Sequence, residues 1–206
     1  MIVIVDYGMG NLASIKNMLK KVGADARISA DAREVAAASK LVLPGVGAFD
    51  AGMSNLETRG LRTVLDDLVL GRHVPVLGIC LGMQLLGKSS EEGELPGLGW
   101  IQATTIRFRF EGGDRTLRVP HMGWNVVNPA ARPGLFDGLH DAPRFYFVHS
   151  YHMVCSDPSD VLATASYGFQ FNAAIERGNV AGVQFHPEKS HRFGMELLRN
   201  FAEAQC

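Results

Sequence analysis

The stretch that most restricts what this chain can become is Gly78-Ile79-Cys80-Leu81-Gly82-Met83-Gln84, which follows the apolar run Val74-Pro75-Val76-Leu77. The run reads as a buried strand, and the glycines two residues either side of Cys80 let a strand and the next helix approach closely through a sharp turn. A nucleophile centred between such glycines, straight after a strand, forms an elbow that holds a reactive side chain above a sheet in a sparsely allowed backbone conformation. With cysteine at the centre, the implied chemistry is attack by sulfur on a carbonyl carbon. A buried structural thiol is the other reading, because free cysteine is among the most buried residue types.

An elbow of this kind requires an α/β sheet around it, and the first half of the chain supplies the pattern. Ile2 to Val5 is a short apolar run, followed by Leu12, Ile15, Met18, Leu19 and Val22 at helical spacing, with Gly23 as the stop. Residues 26–28 form a weak second strand, Asp31 caps a short helix over 32–38, and Leu41-Val42-Leu43 is a third strand ending at Pro44-Gly45. Residues 56–70 are again helical before the strand at 74–79. The second half turns β-prone: a long strand over 100–110, a turn at 111–114 and a returning strand over 116–119. Further strands are expected at 145–148 and 161–164, then a hairpin of 173–176 and 180–185, and a closing helix over 193–204. The expected fold is therefore α/β: a mostly parallel central sheet flanked by helices, flavodoxin-like, with additional antiparallel strands in the second half. It forms a single domain over 1–206, with functional loops at the carboxyl ends of the parallel strands.

Composition narrows the partners. A net charge of -1 without any Lys/Arg block leaves no electrostatic footprint for nucleic acid or an anionic membrane. Nothing approaches the roughly eighteen apolar residues of a membrane span, and Asp6 interrupts the opening apolar run too early for a signal peptide. Cys80, Cys155 and Cys206 lack Cys-x-x-Cys spacing, which points to a reducing cytoplasm, a core thiol at 155 and a C-terminal thiol at 206. The pairs His149/His152 and His186/His191 lack metal-ligand spacing, so no metal and no cofactor are expected; His73 and His140 read as surface.

A sulfur nucleophile needs a base, and the candidate lies in Gly182-Val183-Gln184-Phe185-His186-Pro187-Glu188-Lys189-Ser190. Pro187 biases His186 toward an extended conformation, in which positions i and i+2 share a face, so the Glu188 carboxylate can orient the imidazole. A surface turn with a weak ion pair is the plain alternative. The loop Pro44-Gly45-Val46-Gly47 can set a backbone N–H from Val46 or Gly47 beside that of Leu81, two donors for an oxyanion.

Gly-Ile-Cys-Leu-Gly-Met-Gln together with Gln-Phe-His-Pro-Glu-Lys-Ser resembles the class I, or triad, glutamine amidotransferases. The stretches Asp6-Tyr7-Gly8-Met9-Gly10-Asn11-Leu12, Pro120-His121-Met122-Gly123-Trp124-Asn125 and Tyr146-Phe147-Val148-His149-Ser150-Tyr151 are similar to those of the glutaminase subunits of imidazole glycerol phosphate synthases. The resemblance implies that Cys80 attacks the side-chain amide of L-glutamine, that His186 protonates the departing ammonia, and that water cleaves a glutamyl thioester. It implies that Gln84 contacts the substrate, Glu92 meets its α-ammonium, and backbone at Ser150 and Tyr151 receives its α-carboxylate. It implies a heterodimer with a (β/α)8-barrel cyclase, Met122, Trp124, Tyr146 and Lys189 lying at the interface. Without the resemblance, Met122 and Trp124 would read as core. Many glutaminases of this class have Gly-Gly where this chain has Gly45-Val46-Gly47. A β-branched residue tolerates positive φ poorly, so the peptide at Val46 is expected to await the cyclase before turning toward Cys80. Two other readings compete. The glutaminase of another synthase would share the triad but lack the 120–125 stretch, and a non-catalytic partner-binding homologue would commonly lose a triad member.

Overall fold

The computed structural model describes residues 1–110, 117–132, 134–140 and 142–204. Its parallel half begins with β1 (Ile2–Val5), α1 (Leu12–Lys21), β2 (Ala26–Ser29), α2 (Ala32–Ala36) and β3 (Lys40–Gly45). Next come α3 (Phe49–Thr58), α4 (Leu61–Asp66), a π turn over Asp67–Gly71, β4 (Val76–Cys80) and α5 (Leu81–Leu85). The strands β5 (Ser89–Ser90), β6 (Ala103–Arg107), β7 (His121–Pro129), β8 (Arg144–His149) and β9 (Tyr151–Cys155) follow. The chain closes with β10 (Val161–Tyr167), β11 (Phe169–Arg177), β12 (Val180–Val183) and α6 (His191–Glu203).

The sheet order is β2-β1-β3-β4-β12-β11-β10-β7-β8. Pairing is parallel from β2 through β12 and antiparallel from β12 onward, as the change of texture in the sequence implies. Successive residues of β1 feed opposite faces: Ile2 and Ile4 pack with Ile15, Leu19, Leu198 and Phe201, while Val3 and Val5 pack with Leu41, Leu43, Phe49 and Leu65. Asp31 caps α2 as expected, Oδ1 accepting from the N–H groups of Arg33 at 2.8 Å and Glu34 at 3.1 Å.

Four expectations change. The helix over 56–70 is two helices and a π turn, because Gly60 adopts a left-handed conformation (φ 66°) that no helix interior accepts. The strand over 100–110 shrinks to β6, whose antiparallel partner is the distant β9 rather than a local return; residues 117–119 form no strand, and the turn at 111–114 lies outside the described residues, as does Cys206. The expected strand over 180–185 stops at Val183. Finally, 121–129 is a full strand, its exposure alternating between buried His121, exposed Met122, half-buried Gly123 and exposed Trp124. No described helix is long and apolar enough to cross a membrane.

Register then assembles the site. Gly45 pairs with Cys80 and Val183 with Ile79, so the loop after β3, the elbow after β4 and the turn after β12 emerge side by side at the carboxyl ends of parallel strands.

Candidate active site

Cys80 sits at φ 55° and ψ -110°, 6% exposed, at the junction of β4 and α5. The glycines around it do what the sequence implies: a Cβ on Gly78 would lie 2.8 Å from the Gly82 carbonyl oxygen, and one on Gly82 only 1.7 Å from that of Leu43. Any side chain at either position would push β4, α5 and β3 apart. The helix behind the sulfur, Leu81–Leu85, is little more than one turn, so its dipole supplies little positive charge there.

That charge comes from His186. Its Nδ1 is 2.7 Å from Glu188 Oε1, with both side chains buried. His186 is extended, as Pro187 requires, but residues Pro187–Lys189 then close a 3-10 turn. The carboxylate therefore comes round a turn rather than along a strand face. Nε2 is buried and outside hydrogen-bond geometry with any partner, yet near enough to Cys80 for the thiol to act on it. Burial pulls the imidazole down, but Cys80 and Glu188 outweigh it and raise His186 to about 9. The imidazolium is thus the favoured form beside the sulfur, the pairing that activates a thiol nucleophile. The main chain locks His186 in place: its N–H donates to Tyr146 O at 2.9 Å, and Ser190 Oγ donates to its carbonyl at 2.6 Å.

Leu81 opens α5, so its N–H belongs to the unsatisfied first turn beside Cys80. Val46 is exposed and does not adopt positive φ, whereas Gly47 does, at φ 119°. Glu92 is exposed; its Oε2 accepts the Phe49 N–H at 2.9 Å and so closes the start of α3 beside that loop. Gln84 is buried, its Nε2 donating to Gln184 Oε1 at 3.0 Å and Tyr151 O at 3.3 Å. Ser150 O accepts the Phe108 N–H at 3.0 Å. Met122 and Trp124 are not core: they are 61% and 49% exposed. Trp124 stacks on His191 with centroids 5.4 Å apart and meets the Tyr146 ring at 6.1 Å, and Lys189 Nζ lies 5.5 Å from the Tyr146 centroid. Trp124, His191, Tyr146 and Lys189 make a rim beside His186 and Glu188, and Met122 lies on it two residues along β7 from Trp124.

Sequence reasoning missed four participants. Gln184 donates to Cys80 Sγ at 3.9 Å, and only its place two residues before His186 hints at this. Tyr7 is fully buried, its hydroxyl unpartnered against Gly45 and near Cys80. His121 and His149 hydrogen-bond to each other, a contact that the β7–β8 register alone creates. A cavity of about 720 Å³ against Val76, Glu176, Ala181 and Phe201 lies at the amino ends of β4 and β12, away from this chemistry.

A sulfur nucleophile on a strand-to-helix elbow, with a His–Glu pair delivered by the adjacent parallel strand and a loop with unspent N–H groups opposite, defines a thiol-dependent α/β enzyme that cleaves acyl bonds. Among such enzymes the chain belongs to the class I glutamine amidotransferase family, whose sequence model matches residues 3–204. It is 54% identical over 203 residues to "Imidazole glycerol phosphate synthase subunit HisH 2" of Pseudomonas aeruginosa, spanning 98% of this chain and 99% of that protein. A protein of the same description from Methanococcus maripaludis is 51% identical over 201 residues, with 98% of each covered. In fold, it is similar to a GMP synthase protein from Thermoplasma acidophilum, with a TM-score of 0.72 at 22% identity over 98% of this chain and 91% of that one.

Proposed function

We propose that this chain is the glutaminase subunit of an imidazole glycerol phosphate synthase, hydrolysing L-glutamine and passing ammonia to a partner subunit. The buried Cys80–His186–Glu188 arrangement carries the glutaminase reading, and full-length identity to relatives named as subunits of that synthase supports the rest. The Cys80 thiolate adds to the side-chain amide carbon, and the carbonyl electron pair moves onto oxygen, where Leu81 N–H and the Val46–Gly47 loop receive it. As the oxyanion collapses, His186 gives its Nε2 proton to the nitrogen, the C–N bond breaks and ammonia leaves behind a thioester. Water then attacks, Nε2 takes a proton from it, and glutamate departs from a restored thiolate. Glu188 holds Nδ1 protonated throughout, so the imidazole keeps one orientation.

Gln84, Glu92 and the backbone at Ser150 and Tyr151 bind the glutamine. The rim of Met122, Trp124, Tyr146 and Lys189 docks a (β/α)8-barrel cyclase, which uses ammonia before water protonates it, in the cytoplasm and within a heterodimer. Exposed apolar surface beside an active site supports that docking. The Val46 loop turns its peptide toward Cys80 only on docking; the exposed side chain and the ordinary φ at Val46 favour this. The test measures glutamine turnover by the chain alone and with its synthase partner and that partner's nucleotide ligand. Turnover should rise by orders of magnitude in the complex, and equal rates would overturn the activation step.

A further inference from the structure

Behind the glutamine site runs a chain of hydrogen bonds whose direction chemistry fixes. In the register of β7 and β8, His121 stands opposite His149, and His121 Nδ1 is 2.9 Å from His149 Nε2. His149 Nδ1 is 2.7 Å from the Tyr151 carbonyl, which only accepts, so Nδ1 carries the hydrogen. Burial holds His149 down at about 3 and His121 at about 4, so both rings are neutral. His149 Nε2 is therefore an acceptor, His121 Nδ1 donates to it, and His121 Nε2 is left to accept from Asn125 Nδ2 at 3.3 Å. The Asn125 amide cannot turn over: Nδ2 also donates to Ser166 O at 2.8 Å, and Oδ1 accepts the Val126 N–H at 2.8 Å. Every tautomer from Asn125 to Tyr151 is thus determined.

The chain ends on a carbonyl with two donors. Tyr151 O takes the His149 N–H on one lone pair and Gln84 Nε2 on the other; Gln84 also donates to Gln184, whose amide reaches the Cys80 sulfur. We propose that His149, itself set by His121, is a positioning residue for glutamine binding: it fixes the Tyr151 carbonyl, and through it the Gln84 amide, in the orientation that receives substrate. The proposal rests on Gln84 being a substrate contact. His149 touches neither glutamine nor the reacting atoms, so its removal acts on binding more than on the chemical step.

The experiment uses the complex with the synthase partner and measures glutaminase KM and kcat separately. His149→Phe keeps a ring among Phe108, Phe147 and Phe171 but removes both hydrogen bonds. It should raise KM for glutamine about tenfold, the worth of one lost orienting hydrogen bond, with kcat changed less than about threefold. His149→Asn, whose amide nitrogen can stand where Nδ1 stands, should restore most of the KM. Should His149→Phe fail to fold, His121→Phe is measured instead, with a smaller rise expected. An unchanged KM in a folded variant, or His149→Asn as impaired as His149→Phe, overturns the proposal. Gln84→Ala separates the two levels. If it leaves KM unchanged, the substrate contact itself is wrong and the proposal falls with it; if it raises KM while His149→Phe does not, only the positioning role is refuted.

Discussion

Tyr7→Phe should make this protein more stable. Tyr7 is 0% exposed, its hydroxyl has no hydrogen-bond partner, and it packs so tightly on Gly45 that a Cβ there would lie 2.4 Å away. Burial, and then the charge of Cys80, push the phenol far up, so it remains a protonated donor with nothing to donate to. An unsatisfied buried polar group costs about 1–3 kcal/mol, and the substitution removes that cost while leaving the ring in place. For a chain of this size each kcal/mol moves Tm by roughly 2–4 °C, which sets an expected rise of about 2–12 °C. Urea unfolding and thermal melting of the free chain, wild type beside Tyr7→Phe, measure it. A variant less stable than wild type by about 0.5 kcal/mol or more would mean that the hydroxyl is bonded after all, and the reasoning would fail. An idle donor at the root of the Val46 loop fits a site where stability is given up for function.

Two further outcomes follow from the geometry. A Cβ on Gly194 would lie 1.8 Å from the Pro187 carbonyl oxygen, so Gly194→Ala should displace the 187–189 turn and lower glutaminase kcat at least tenfold without touching substrate, which steady-state kinetics of the complex would read. Stability should also be dome-shaped in pH. His121 and His149 are lowered by burial to about 4 and about 3, so their contribution is complete above the ordinary value of 6.5 and is lost as pH falls toward those values. The limiting slope is about 1.4 kcal/mol per pH unit for each proton. His186 has the opposite sign: raised to about 9, it contributes fully below 6.5 and loses its contribution as pH rises through about 9. Urea midpoints across that range should show both limbs, with the acid limb shallower in His149→Phe.

The parts of the site legible in the sequence are those encoded within a few residues. Gly78 and Gly82 announce the elbow because only glycine allows backbone to approach so closely, and Pro187 between His186 and Glu188 announces an oriented base. The break at Gly60 was equally local, but helical periodicity on both sides hid it. What the sequence concealed depends on register between distant strands. The β6–β9 pairing joins segments that no local pattern connects, and His121 meets His149 only because β7 and β8 align them. The strand β7 itself had a readable alternation from His121 to Trp124, masked by Gly123 and by its apolar residues facing outward instead of inward. Tyr7 carries no signal at all, since a buried tyrosine after an apolar strand looks like core until its hydroxyl is seen to lack a partner.

The central claim is that Cys80 generates ammonia that the partner subunit consumes. The direct measurement is Cys80→Ala in the complex, assayed for synthesis once with glutamine and once with added ammonium salt as the nitrogen source. Glutamine-dependent synthesis should vanish while ammonium-dependent synthesis continues at the wild-type rate. Loss of both would assign the chain a structural role in activating its partner, and persistence of the glutamine-dependent reaction would remove Cys80 from the mechanism.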